Sequence, residues 1–212
     1  MHLTKQDLVE AERKFRLNLI NSISGAKPAN LIGTISEDGQ PNLAIFSSVF
    51  HLGSDPALLG FITRPTDEVP RHTYENIKAT GYYTINAIPS SMTERAHYTS
   101  AKFDRDISEF ERCAIEASYL PDFKAPFVRN SPIKLGLKWE QEICIPLNGT
   151  ILMVGSIEHL IILDELVAEN GYINLEDAQI AAISGLNSYY SLQKLAEYPY
   201  ARAGQIPQFN NK

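Results

Sequence analysis

The pair Asp38-Gly39 sits between two apolar runs in NLIGTISEDGQPNLAIFSS and limits the possible folds more than any other feature of the chain. Glycine accepts the positive φ of a tight reversal, so Asp-Gly between such runs predicts a β-hairpin. A second signal of this kind, Asn148-Gly149, separates IKLGLKWEQEICIPL from ILMVGSIEHLIIL. Leu135, Leu137 and Trp139 alternate with Lys134, Lys138 and Glu140, the pattern of a strand with one solvated face. ALLGFIT, from Ala57 to Thr63, reads as a strand apolar enough for burial on both faces, and YYTINAI as another.

Helical patterns are fewer. Thr4 can cap a first helix, with Asp7 three residues on and Leu8, Phe15 and Leu19 on one stripe, ending near Ser24-Gly25. HTYENIKATG predicts a short helix stopped by Gly81, and Ser90 to Phe110 reads as helical in pieces. Cys113 to Ser131 carries prolines and little periodicity and is expected to be irregular. Helical stretches are expected around Leu175 to Ile183 and Ser188 to Glu197, before a polar tail. Roughly six or seven hairpin-joined strands with helices at the ends favour a small antiparallel barrel over a parallel sheet. The expected organisation is one domain over 1–212: a helix over 4–24, a barrel core over about 26–165, and C-terminal helices and tail over 166–212.

Composition narrows the function classes. A hydrophobic content of 44% with 21% charge is that of a soluble globular chain. Net charge of −6 argues against nucleic-acid binding, which needs a basic face. No apolar run approaches the ~20 residues of a membrane span, and a charged N-terminus cannot be a secretory core. Cys113 and Cys144 form neither a disulfide framework nor a CxxC site, so a cytoplasmic location is expected. Neither GxGxxG nor a phosphate-binding P-loop is present, and no GxSxG surrounds Ser47 or Ser48. The five histidines (His2, His51, His72, His97, His159) are scattered without HExxH, so no metal is expected. A bound organic cofactor suits this inventory better than a side-chain nucleophile.

Ser47 and Ser48 interrupt PNLAIFSSVF, and two readings stand: a serine-rich turn, or hydroxyls that bond a flat polar ligand. The order of segments bears on the choice. Lys27-Pro28, PNLAIFSS, LLGFITRP, HTYENIKATG, YYTINAI and HYTSAKFDRDISEFE form a series over about residues 26 to 160. That series resembles the flavin reductase-like family. The resemblance implies a mainly β fold with peripheral helices, an antiparallel, Greek-key-like, FMN-binding split β-barrel.

It also implies a site. The segment holding Asn42, Ala44, Phe46, Ser47 and Ser48 would line the flavin ring through backbone groups and hydroxyls. Arg64, Arg71, His72 and Thr73 would serve the phosphate, which favours guanidinium, hydroxyl and helix-terminal N–H groups. Relatives carry Lys or Arg and then Asp-Thr near here, so Arg71-His72-Thr73 departs from the pattern, and Thr73 also reads as a plain N-cap. Asn86 would stand near the ring or merely satisfy a loop. Thr99, Ser100, Ala101 and Phe103 would cover the flavin, from the same or the neighbouring subunit, or form a surface turn with one buried aromatic. Tyr189, Tyr190, Tyr198 and Tyr200 read as core or dimer contacts.

The implied activity is an NAD(P)H-dependent oxidoreductase passing electrons through FMN to an acceptor, with a homodimer holding flavin at the subunit boundary. The alternatives are a flavoredoxin-like carrier without turnover, and a split barrel that binds another planar ligand.

Overall fold

The computed structural model describes residues 1–66 and 69–209. After two helices, α1 (Lys5–Glu10) and α2 (Arg13–Ser22), the chain forms β1 (Lys27–Pro28), β2 (Asn30–Ile35) and β3 (Pro41–Phe46). The predicted hairpin is the β2–β3 pair, Ile32 facing Ala44. Its loop closes with the Ser36 amide donating to the Gln40 carbonyl at 3.0 Å, and Gly39 takes φ +92°. Then follow β4 (Phe50–Ser54), β5 (Ala57–Thr63), α3 (His72–Thr80) and β6 (Tyr82–Ala87). Next come α4 (Thr93–Tyr98), α5 (Glu109–Arg112), β7 (Ala117–Leu120) and β8 (Phe123–Val128). The long pair β9 (Ile133–Ile145) and β10 (Thr150–Ile162) precedes β11 (Ala181–Ser184) and β12 (Ser188–Ser191).

Seven strands form one antiparallel sheet in the order β3-β2-β6-β9-β10-β5-β4. Its two edge strands, β3 and β4, follow one another in sequence with only Ser47, Ser48 and Val49 between them. The sheet therefore curls round to meet itself. At the meeting point the Ser48 hydroxyl donates to the Ile62 carbonyl at 3.0 Å and accepts from its amide at 3.1 Å. Phe50 faces Gly60 in the ladder, so Ser48 stands where the next partner of Ile62 would be. Its side chain replaces a strand's main chain there, and the seam closes without a further ladder rung.

Ile32, Phe61, Tyr83, Ile85, Leu137 and Met153 fill the interior. Each fully buried large side chain stabilises the fold by about 1.5–3 kcal/mol. Phe46 and Tyr83 meet Phe61 edge-on at 5.1 and 5.6 Å between ring centres. Helix α3 packs on β2 and β3. The Tyr74 hydroxyl donates to Glu142 at 3.1 Å, Lys78 pairs with Glu142 at 3.2 Å, and the Lys78 ammonium lies 4.2 Å from the centre of the Trp139 ring.

A second layer covers the outer face of β2 and β3, where Leu31, Leu43, Ile88, Phe110, Val128 and Ile183 form one cluster. β8 comes close enough that a Cβ on Gly33 would lie 2.3 Å from the Pro126 carbonyl oxygen. The result is the mainly β split barrel that the sequence implied, with few helices. Among the described residues no helix is long and apolar enough to cross a membrane.

Several element expectations are corrected. The single helix over 4–24 is two helices, because Ala11 adopts an extended ψ of 146° and Glu12 caps α2 through the Lys14 and Phe15 amides. Residues Cys113 to Ser131 are not irregular: β7 and β8 pair there. Pro126 fits because β8 is laddered on one side only, which leaves room for a residue without N–H. The expected C-terminal helices are instead the strands β11 and β12, joined to β1 in a three-stranded sheet. Consecutive burial of Ala181, Ala182 and Ile183 outweighs a weak helical spacing there. β5 is not buried on both faces, since Leu58, Leu59 and Ile62 remain partly exposed.

If Ser48 closes the seam, Ser48→Ala should lower stability by about 1–3 kcal/mol, the cost of orphaning a main-chain pair. Ser47, which makes no such bond, should tolerate alanine within about 0.5 kcal/mol. Urea denaturation checks both, and equal effects would remove the seam assignment.

Candidate functional site

β3 is an edge strand, so every second main-chain pair along it faces away from β2. Leu43 donates its amide across this edge to the Glu109 carboxylate at 2.9 Å. Alternation points the N–H and C=O of Ile45 to the same free side. Glu109 opens α5 and is buried, 6% exposed. Burial pushes its carboxyl up from the usual range, while the Leu43 amide and nearby His72 pull the other way. The acid thus ties α5 to β3 and reaches electrostatically toward the first residue of α3.

Behind this edge lies a small polar network. The Asn42 carboxamide donates to Thr34 Oγ1 at 3.3 Å and to Thr73 Oγ1 at 3.2 Å, and Asn76 donates to Thr34 Oγ1 at 3.1 Å. All four side chains are buried, so these bonds offset desolvation and also fix β2, β3 and the start of α3 in register. Two residues singled out in the sequence, Asn42 and Thr73, therefore meet.

The start of α3 carries the positive charge. Thr73 is not the N-cap: Arg71 holds that position, and its own side chain makes no capping bond. Arg71 Nε donates to the Pro65 carbonyl at 3.3 Å. Burial lowers the pKa of its guanidinium, and the charge of neighbouring Arg64 lowers it further. Arg71 therefore stands at the start of α3 within electrostatic reach of Arg64, with half-buried His72 next to it in the chain. Such a place suits an anion.

The remaining sequence candidates divide. Ala44 and Phe46 lie on β3, with Phe46 turned into the barrel against Phe61. Ser47 is half-buried beside the seam, and the Ser48 hydroxyl is occupied by Ile62 rather than free for a ligand. Asn86 requires correction as a ring contact. It is fully buried, donates to the Leu31 carbonyl and Thr84 Oγ1, and accepts from the Val128 amide, so it joins β2, β6 and β8. The hydroxyls of Thr99 and Ser100 bond back to the Ala96 and His97 carbonyls at the end of α4. Ala101 is exposed, and Phe103 packs with Ile45 on the outer cluster. The Thr99 and Ser100 hydroxyls are thus engaged within the end of α4, and Phe103 alone of this segment packs on the cluster that covers β3.

Glu109 escaped the sequence reading. Its one signal was an acid placed directly before the apolar Phe110, which is common on surfaces.

The Flavin reductase like domain matches residues 24–179. The crystal structure of a split-barrel-domain protein from Shewanella frigidimarina superposes with a TM-score of 0.91 at 46% identity, covering 95% of this chain and 100% of that one. Nitrilotriacetate monooxygenase component B from Bacillus cereus gives 0.82 at 16% identity, covering 93% and 98%. An FMN-binding protein from Thermus thermophilus gives 0.70 at 14%, covering 84% and 93%.

The raised carboxyl of Glu109 has a definite linkage. Its contribution is complete below the ordinary value of 4.5 and is lost as pH rises through the higher folded value. Wild type should therefore lose stability relative to Glu109→Gln as pH climbs from about 4 toward neutrality. Parallel pH profiles in urea denaturation would contradict a desolvated acid at this edge.

Proposed function

We infer the activity from one premise: the chain belongs to the flavin reductase-like domain family. On that premise it is an FMN-binding oxidoreductase of flavin reductase type, passing electrons from NADH or NADPH to an acceptor. The observation that carries this reading is the free main-chain edge of β3 held beside the Arg64–Arg71 pair and the uncapped start of α3. The FMN-binding relative from Thermus thermophilus, with the same fold, supports the choice of cofactor.

These residues fit the group. A flavin ring needs in-plane donors and acceptors at its pyrimidine end and an apolar platform at the other. The Ile45 main chain offers the first, and Ala44, Phe46 and Val49 lie on the same run of chain. Arg64, Arg71 and the α3 amides would receive the phosphate, and the Asn42–Thr73 bond keeps that pole at a fixed distance from the strand. When bound, FMN would supply two-electron redox chemistry between a reduced nicotinamide and an acceptor. The protein's part is orientation. Glu109 holds the strand edge in place, the Asn42 network holds the helix, and no side-chain acid or base is required of either. A homodimer with flavin near the subunit boundary belongs to the same reading.

Arg64→Ala with Arg71→Ala should weaken FMN binding at least tenfold in a fluorescence titration; unchanged affinity would move the phosphate elsewhere. Anaerobic mixing of the FMN-loaded protein with NADH or NADPH should bleach the visible flavin bands. Flavin that stays oxidised in both mixtures would favour the carrier reading.

A further inference from the structure

We propose that the cleft between the turn at residues 129–132 and the end of β10 is a second binding site, one that takes a small organic anion: a carboxylate on an apolar body of about the size of benzoate. The site is separate from the free edge of β3, and its argument draws nothing from the flavin.

The chain carries a net charge of −6, yet among the described residues this cleft of about 310 Å³ is lined by two cations and no acid. Arg129, Asn130, Ser131 and Lys134 supply its polar lining, and Pro132 with residues 161–163 its apolar lining. Lys134 stands opposite Ile161 in the β9–β10 ladder and opposite Asn86 on its other side, in β6. Strands β2 and β6 lie between β3 and β9, so the cleft is about 14 Å from the free edge at the usual strand spacing.

Neither cation is neutralised inside the cleft. Among the described residues Lys134 has no carboxylate partner, and its ammonium donates to the Arg129 carbonyl at 3.1 Å. Arg129 meets Glu116 at 3.1 Å, with both side chains more than half exposed. An exposed pair of that kind contributes at most about 1 kcal/mol. A guanidinium carries five donors in a fixed fork, so one such partner leaves room for a second anion. Burial lowers the Lys134 ammonium from its ordinary pKa, and the Arg129 charge lowers it further. An anion seated between the two groups relieves both effects.

The turn that carries these groups is held in place before any ligand arrives. Ser131 is buried, and its hydroxyl is shared between the Ala87 and Ile133 carbonyls at 2.7 and 2.9 Å. Its amide donates to the Val128 carbonyl at 3.2 Å, and the Arg129 amide to the Glu116 carbonyl at 2.9 Å. A site that needs no rearrangement loses less on binding. The apolar side is fixed as well, since Ile161 packs on the cluster of Phe123, Ala125 and Phe127, while Leu163 is 56% exposed. An inorganic ion would satisfy the cations and leave the apolar side in water. A hydrocarbon would cover that side and leave the cations unmatched. A carboxylate on an apolar ring answers both.

Titrating benzoate into the full chain while the backbone amides are followed by NMR tests this. Saturable shifts should appear at the Asn130, Ser131, Lys134 and Leu163 amides, whether or not FMN is added. Benzamide, which has the same shape without the charge, and inorganic phosphate, which has charge without a ring, should each bind about tenfold more weakly or worse, the scale of one charge-assisted hydrogen bond. Lys134→Met and Arg129→Gln should each weaken benzoate by a similar factor. So should Leu163→Asp, which places a negative charge at an exposed position where the fold has little at stake. Shifts that never saturate, or that gather around Arg64 and Arg71, overturn the proposal. Benzamide or phosphate binding as tightly as benzoate does so too, as does an affinity that all three substitutions leave unchanged. Because the cleft is read out in chain without flavin, its failure leaves the FMN reading untouched, and a chain that binds benzoate here but no FMN sinks only that reading.

Discussion

The whole arrangement depends on how a seven-stranded sheet disposes of its two edges. Unpaired strand edges invite association with other chains, and proteins cover, charge or close them. Here the chain steps from one edge strand to the other in three residues, and the Ser48 hydroxyl takes both main-chain groups of Ile62. Closure is made by one side chain rather than a full ladder, so the wall is continuous at the seam while the rest of β3 stays open. A complete ladder between β3 and β4 would consume the Leu43 and Ile45 groups and leave no place for a planar polar ligand. The proposed site rests on this split in the barrel.

What the open edge can bind is then decided by its surroundings. Glu109 claims the Leu43 amide and places a desolvated acid at one side. Arg64 and Arg71 place like charges at the other, close enough to lower the pKa of the Arg71 guanidinium. Between them the buried amides and hydroxyls of Asn42, Thr34, Thr73 and Asn76 bond to each other, so they neither solvate a ligand nor let the helix drift. A ligand that fits must be flat, able to bond main-chain groups, and anionic at one end. These are the features on which the proposed flavin mononucleotide site rests.

The sequence made some of this legible and concealed the rest for identifiable reasons. Asp38-Gly39, Asn148-Gly149 and Gly81 announced themselves because backbone requirements are local, and each marks a turn or helix end in the structure. The pairing of β1 with β11 brings Lys27 opposite Ile183, a long-range match that no local pattern encodes. Likewise β7 and β8 were masked by prolines that only an understanding of their one-sided ladder makes harmless. At the site, residue types were readable but roles were not. Ser48 is legible as a hydroxyl that interrupts an apolar run and Asn86 as a polar group at a strand end, yet both satisfy main-chain groups of neighbouring strands. Glu109, which grips the edge itself, looked like any surface acid beside a phenylalanine.

The bare outer face follows from the same accounting of surface. A barrel of this size can cover one wall with its own helices and hairpins, and this chain spends α4, α5 and two short sheets on the wall around Leu43. That wall is the one that must be rigid, since it backs the strand edge offered to a ligand. The opposite wall, with Phe50, Leu52 and Leu152 around Gly60, receives no cover from the same molecule. Apolar surface left in water weakens with every additional exposed side chain the case for a lone monomer.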